Sequence, residues 1–430
     1  MGLVDTLMVG RLGPAAIAAT GMGSGVFTAI AIFGMGLMLG VDALVSQSAG
    51  AGRFDECLRW LHHGVVLALF VTPVVMVLTW IAFLTIDAWG LNPEIGALAG
   101  PYLEVIALSA APLLLYAALR RYLQGIHVVR PVMYALVSAN LVNAAANAIL
   151  IYGQFGAPAL GVTGSAWATS IARAYMAAFL YVAVRREHRR RGDAHPRIPF
   201  SVDVSRLRRL LGLGAPAASQ ITLEVGVFAL ATALAARLDA VSSASHQIAL
   251  NIVSLVFMVP LGLASSGAVR VGHAIGARDV SRARRAGWTA LGVGAVIMIA
   301  LGAVLFAFPR SLLSVFTTDA QVLAIGARLL AIAAAFQLFD GTQAVTTGIL
   351  RGIGDTRTPM VMNVIGHWVL GLPVGYALCF RFMWGVTGLW VGLSIGLIFC
   401  AVALTATWII RTHRLNLPPG LHPTEPIEML

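Results

Sequence analysis

Three carboxylates stand inside long apolar runs, where an ionisable side chain costs a few kcal/mol or more and therefore marks function. Glu224 lies 13 residues before Arg237 and 15 after Arg209, roughly 20 Å of helix from either boundary. Asp340 precedes Arg351 by 11 residues, about 16 Å, and Asp5 precedes Arg11 by six, about 9 Å. Glu224 and Asp340 are thus near the middle of their helices, and Asp5 is in the outer half of its own. An isolated carboxylate in low dielectric stays protonated, so reversible cation binding needs polar company. Gln220 is one turn before Glu224; Gln337 is three residues before Asp340 and Thr347 seven after it. The bland alternative is interhelical hydrogen bonding worth about 0.6 kcal/mol per contact. That glue needs no charge at such depth, so Glu224 and Asp340 are read as functional.

Two further helices carry single polar stripes that should face a bundle interior. Asn140, Asn143 and Asn147 recur at i, i+3 and i+7, and Gln247, Asn251 and Ser254 at i, i+4 and i+7. For the asparagines, glue and function stay open. Gln220, Gln247, Asn251 and Gln337 are expected to line a substrate path. Asp42 and Glu104, closer to helix ends or without a stripe, read as structural, and His246 as a hydrogen-bonded packing residue rather than a proton shuttle.

Several chemistries are excluded. All 29 basic residues are arginine, so neither a phosphate loop ending in Gly-Lys nor a Schiff base can form. Cys57, Cys379 and Cys400 have no metal-ligand spacing, and no HExxH, GxSxG or DDxxD pattern occurs. We expect no enzyme, no cofactor, and no metal beyond a transported Na⁺ at the carboxylates.

The elements that must position these groups follow from hydropathy. Apolar residues make up 59% and charged residues 11% of the chain, with a mean hydropathy of +0.86, so no polar surface can enclose it. With about 20 residues per crossing, apolar stretches fall near 1–12, 15–46, 60–86, 95–120, 131–153, 160–185, 207–236, 240–269, 286–309, 320–350, 358–380 and 385–410. The fold expected is an all-α integral membrane protein of twelve transmembrane helices. The segments after helices 2, 4, 6, 8 and 10 and the tail hold 23 of the 29 arginines, which assigns those loops and both termini of the complete chain to the cytoplasm. Charge so dispersed is no nucleic-acid surface. Arg11 closes the first stretch after about ten residues, half of what a bilayer requires. Helix 1 is therefore expected to be truncated, its first half encoded upstream of Met1.

The chain also repeats. Gly50-Ala51-Gly52-Arg53 is matched by Gly276-Ala277-Arg278-Asp279, Leu123-Gln124-Gly125-Ile126 by Leu350-Arg351-Gly352-Ile353, and Gly161-Val162-Thr163-Gly164 by Gly385-Val386-Thr387-Gly388. The order predicts two six-helix lobes of like orientation with the substrate path between them. The expected boundaries are 1–190 and 206–412 for the lobes, 191–205 for a cytoplasmic linker and 413–430 for a cytoplasmic tail. The arginine-rich stretch around the linker has a second reading as a patch for lipid headgroups.

These segments resemble the multidrug and toxic compound extrusion (MATE) transporters, especially their NorM-like branch. The likeness runs through Met1-Gly2-Leu3-Val4-Asp5-Thr6, Ser46-Gln47, Leu223-Glu224-Val225, His246 to Asn251, Arg270-Val271-Gly272-His273, Leu350 to Arg357, and Trp368 to Pro373. His367 stands where the family often has tyrosine. The resemblance implies two rocking lobes in a bacterial inner membrane, working as a monomer. It further implies efflux of cationic or amphiphilic small molecules in exchange for H⁺ or Na⁺, coupled through residues matching Asp5, Asn143, Asn147, Glu224 and Asp340. A flippase for a lipid-linked precursor would need a cationic cavity, whereas the intramembrane charges here read as acidic. A truncated chain that transports nothing is the remaining alternative.

Overall fold

The computed structural model describes residues 2–90, 92–191 and 202–414. Described residues form helices and connecting turns without strands, as expected of backbone that must satisfy its own hydrogen bonds in lipid. The first helix is α1 (Gly2–Val9). It is followed by α2 (Pro14–Gly50), α3 (Phe54–Leu84), α4 (Pro93–Leu108 and Ala110–Gly125, bent by 45°), α5 (Arg130–Tyr152) and α6 (Gly161–Arg190). The second set is α7 (Val204–Ala235), α8 (Ala240–Gly276), α9 (Val280–Ala307), α10 (Ala320–Ile353), α11 (Arg357–Arg381) and α12 (Val386–Arg414). Ten of these are single helices long and apolar enough to cross a membrane, and the bent α4 makes eleven. With α1 they form the twelve-helix membrane protein anticipated from hydropathy.

The chain divides into two compact units, residues 1–45 with 53–218, and 46–52 with 219–430. The last turn of α2 thus belongs to the second unit and the first half of α7 to the first. Residues 192–201 of the expected linker and 415–430 of the expected tail lie outside the described residues.

Helix starts follow local chemistry. The side chain of Asn92 accepts the amide of Glu94 ahead of α4, that of Asp239 the amide of Ser242 ahead of α8, and that of Asp319 the amides of Gln321 and Val322 ahead of α10. Each cap satisfies a donor that the first helical turn leaves open. The repeated Gly-Val-Thr-Gly has one geometry in both units. Gly161 and Gly385 turn at φ 55° and 59°, a left-handed conformation that favours glycine. A Cβ on Gly164 would stand 2.5 Å from the Leu150 carbonyl oxygen, and one on Gly388 would stand 2.7 Å from the Cys379 amide. The motif therefore locks α6 onto α5 and α12 onto α11 at backbone contact. Further along, Gly371 and Gly375 of α11 face Gly392 and Gly396 of α12, the small-residue spacing that lets membrane helices meet closely. In α11 the turns widen to a π-helix over Val364–Gly371 and again over Ala377–Arg381, an irregularity common at functional sites.

Candidate functional site

In the first unit, Asp5 is 4% exposed, and helices α5 and α6 supply its partners. Asn147 Nδ2 donates to Asp5 Oδ1 at 2.7 Å, and Thr169 Oγ1 donates to Asp5 Oδ2 at 2.9 Å. Asn147 Nδ2 also reaches Asn143 Oδ1, and Asn143 Nδ2 reaches Thr169 Oγ1, both at 3.4 Å. Asn143 and Asn147 are fully buried. The Tyr152 hydroxyl, donating to the Met8 carbonyl, ties α1 to α5. Each carboxylate oxygen thus holds a hydrogen-bond donor. The buried Asn147 Oδ1 has no hydrogen-bond partner among the described residues. The structure brings the predicted Asp5, Asn143 and Asn147 into one cluster and adds Thr169, which the sequence does not single out because a hydroxyl on an apolar helix most often bonds its own backbone. Asn140 is partly buried and donates to the Leu136 carbonyl at 2.8 Å.

One turn beyond Thr169 stands Arg173, twelve residues after Gly161 and so about 18 Å along α6. Its Nη1 donates to Ser109 Oγ at 2.5 Å, at the bend of α4, and its guanidinium carbon lies 4.7 Å from the centre of the Phe27 ring. This corrects the expectation that the intramembrane charges are acidic: helical spacing from the helix ends would have found this arginine as it found Glu224. Asp42, 1% exposed, is paired with Arg121 at 3.1 Å, in keeping with a structural role.

In the second unit, Glu224 and Asp340 lie close enough for their charges to interact. Gln220 hydrogen-bonds the Glu224 carboxylate, and Asn363 Nδ2 donates to Glu224 Oε2 at 3.3 Å. The neighbouring turn of α7 is fastened to α11 by Trp368 Nε1, which donates to the Leu223 carbonyl at 3.1 Å. Asp340 is 5% exposed and Gln337 fully buried. The side-chain oxygens of Gln337, Gln343 and Asn363, and both ring nitrogens of His367, are buried without a partner among the described residues. Native proteins leave few such groups, and hard cations take oxygen ligands, so the amide oxygens beside the two carboxylates suit a small cation or ordered water. Among the described residues no three His, Cys, Asp or Glu side chains gather as a metal cluster. Any ion here would therefore be held by carboxylate and amide oxygens together. Asn363 and His367 were not singled out as site residues; their i, i+4 spacing in an apolar stretch was the available signal.

His246 takes the packing role expected of it. Trp390 Nε1 donates to its Nδ1 at 3.0 Å, which leaves the proton on Nε2, facing Thr232 Oγ1 at 3.0 Å. Both nitrogens are engaged and the ring is 1% exposed. Gln247 and Asn251 bond each other at 3.5 Å, but they and Ser254 are exposed rather than packed among the helices of this unit.

Known proteins resemble this chain in sequence and in fold. The sequence model of the MatE family matches residues 1–149 and 216–377. A Mesorhizobium japonicum protein named as a probable multidrug resistance protein NorM is 36% identical over 419 residues, covering 96% of this chain and 90% of the relative. The multidrug resistance protein NorM of Photobacterium profundum is 31% identical over 418 residues, covering 95% and 91%. The crystal structure of the eukaryotic MATE transporter AtDTX14 shares the fold at a TM-score of 0.85 and 21% identity, over 96% of this chain and 93% of that one.

Proposed function

The chain belongs to the MatE family, and from that membership we propose that it is a secondary active antiporter. In this reading it exports cationic or amphiphilic small molecules in exchange for H⁺ or Na⁺, drugs among them, since its relatives are named as multidrug resistance proteins. The observation that carries the reading is the pair of carboxylate clusters, one in each unit. Asp5 is answered by Asn147 and Thr169, Glu224 by Asn363, and Asp340 is within electrostatic reach of Glu224. Among the described residues none of the three carboxylates is within ion-pair distance of an arginine, which supports a role in binding a small cation.

A cation that binds one lobe arrangement better, and a cargo that binds the other better, couple through that difference in affinity alone. Alternating access between lobes of like orientation follows. Gln220 and Gln337 serve the Glu224 and Asp340 cluster, and the exposed Gln247 and Asn251 serve the cargo path. The membrane is the bacterial inner membrane, with the arginine-rich loops after α2, α4, α6, α8 and α10 cytoplasmic, and the working unit is a monomer.

Arg173 favours one second reading, a flippase whose lipid-linked cargo bears phosphate. Efflux of ethidium from cells producing the protein separates the two. The antiporter expels the dye until the proton gradient is dissipated or Na⁺ withdrawn, and Asp340→Asn abolishes expulsion at unchanged abundance. Dye efflux unaffected by Asp340→Asn would remove that carboxylate from the mechanism.

A further inference from the structure

Between the arginine-rich ends of α5 and α6 the first unit has a groove of about 920 Å³. Its rim is formed by Arg130, Arg186, Arg189 and Arg190, and its walls include Tyr134 and Phe179. All four arginines are exposed, and none has an ion pair among the described residues. The one acidic residue of the lining, Glu187, is taken by Arg191, which lies outside the groove, at 2.8 Å. Among the described residues the charge of the rim is therefore uncompensated.

The order of residues along the helices matters as much as the count. Phe179, Val182 and Arg186 follow one another on α6 at about one turn each, and Tyr134 is one turn inside Arg130 on α5. Moving from the helix ends toward their middle, the groove passes from guanidinium groups to aromatic and aliphatic walls. Tyr134 is 55% and Val182 46% exposed, an apolar surface that a water-facing site has no reason to keep.

We propose that this groove is a binding site for an anionic phospholipid. The phosphate is held by the four arginines and an acyl chain lies along Tyr134, Phe179 and Val182. Guanidinium groups bind phosphate oxygens bidentately, and four of them suffice for a headgroup with two phosphates. Basic pockets between membrane helices on the cytoplasmic side are suited to such headgroups, and the arginine distribution assigns this end of α5 and α6 to that side. The site is separate from the carboxylate clusters and does not depend on the transport reading.

The test uses the purified full chain, delipidated and offered phosphatidylglycerol, cardiolipin or phosphatidylcholine, with bound lipid counted by native mass spectrometry. The wild type is expected to retain the two anionic lipids at least tenfold more tightly than phosphatidylcholine. The triple variant Arg186→Gln, Arg189→Gln, Arg190→Gln is expected to lose that preference, while Arg282→Gln, Arg284→Gln, Arg285→Gln, on an exposed stretch at the start of α9, keeps it. Equal loss in both triples, or no loss in the first, overturns the proposal. Competition by glycerol phosphate at the lipid's own concentration overturns it as well, by making the groove a site for free anions. Should the first triple variant fail to fold, Val182→Cys bears a fluorophore in the groove, the native cysteines being buried. Quenching by brominated phosphatidylglycerol must then exceed quenching by brominated phosphatidylcholine; equal quenching refutes the site.

Discussion

Thr169→Val isolates one hydrogen bond at the heart of the first unit. The side chain keeps its branching and loses only the hydroxyl that donates to Asp5 Oδ2 at 2.9 Å. Asp5 then retains a single recorded donor, Asn147 Nδ2 at 2.7 Å, in a site where the carboxylate is 4% exposed and water cannot make up the loss. A hydrogen bond to a charged group contributes about 1.5–3 kcal/mol. At about 1.4 kcal/mol per factor of ten, the balance between the empty and the cation-loaded carboxylate shifts roughly 10- to 150-fold. The assay is ethidium efflux in vesicles, with H⁺ and Na⁺ titrated separately on the driving side and protein abundance measured in each preparation. Thr169→Val is expected to displace the half-maximal cation concentration by at least tenfold, and Thr169→Ser, which restores the hydroxyl, to return it to the wild-type value. A valine variant with unchanged half-maximal concentration at normal abundance would refute the role given to Asp5 and its neighbours.

Two further outcomes concern stability. A Cβ on Gly276 would collide with the Gln47 carbonyl oxygen and stand 2.9 Å from the Ala51 amide, all backbone that cannot swing aside. Gly276→Ala is therefore expected to destabilise the second unit by about 1–3 kcal/mol, seen as a lower melting midpoint in detergent, whereas Gly262→Ala, with open space around it, leaves it unchanged. The Asp239 carboxyl, outside the membrane-spanning segments, is held below its ordinary range chiefly by the Ser242 hydroxyl and then by the Ser242 amide. A depressed carboxyl contributes stability above its unfolded value, near 3.9, and loses that contribution as pH falls through the lower folded value. Asp239→Ala is expected to melt earlier than wild type at pH 7, with the gap closing below about pH 4, and Asp239→Asn, a comparable cap, to melt close to wild type at neutral pH; a gap constant with pH would contradict this.

The candidate site was legible in part. Glu224, Asp340 and Asp5 stood out because depth along a helix is counted directly from the nearest charged boundaries, and Asn143 and Asn147 because a stripe is a property of one helix. Arg173 obeyed the same counting rule and was passed over. Thr169, Asn363 and the orphaned oxygens of Gln337 and Gln343 were not distinguishable, since hydroxyls and amides on apolar helices are as often satisfied locally as across helices.

The number of helices and the repeated segments could be read from the chain, because transfer into a bilayer is summed residue by residue over about 20 neighbours. What could not be read is which polar groups meet. Asp5 finds Asn147 across 142 residues and Thr169 across 164, and Glu224 finds Asn363 across 139. Such meetings depend on how closely and at what rotation separate helices pack, which is decided where glycines such as Gly164 and Gly388 bring backbones into contact, and no local pattern of hydropathy encodes that rotation.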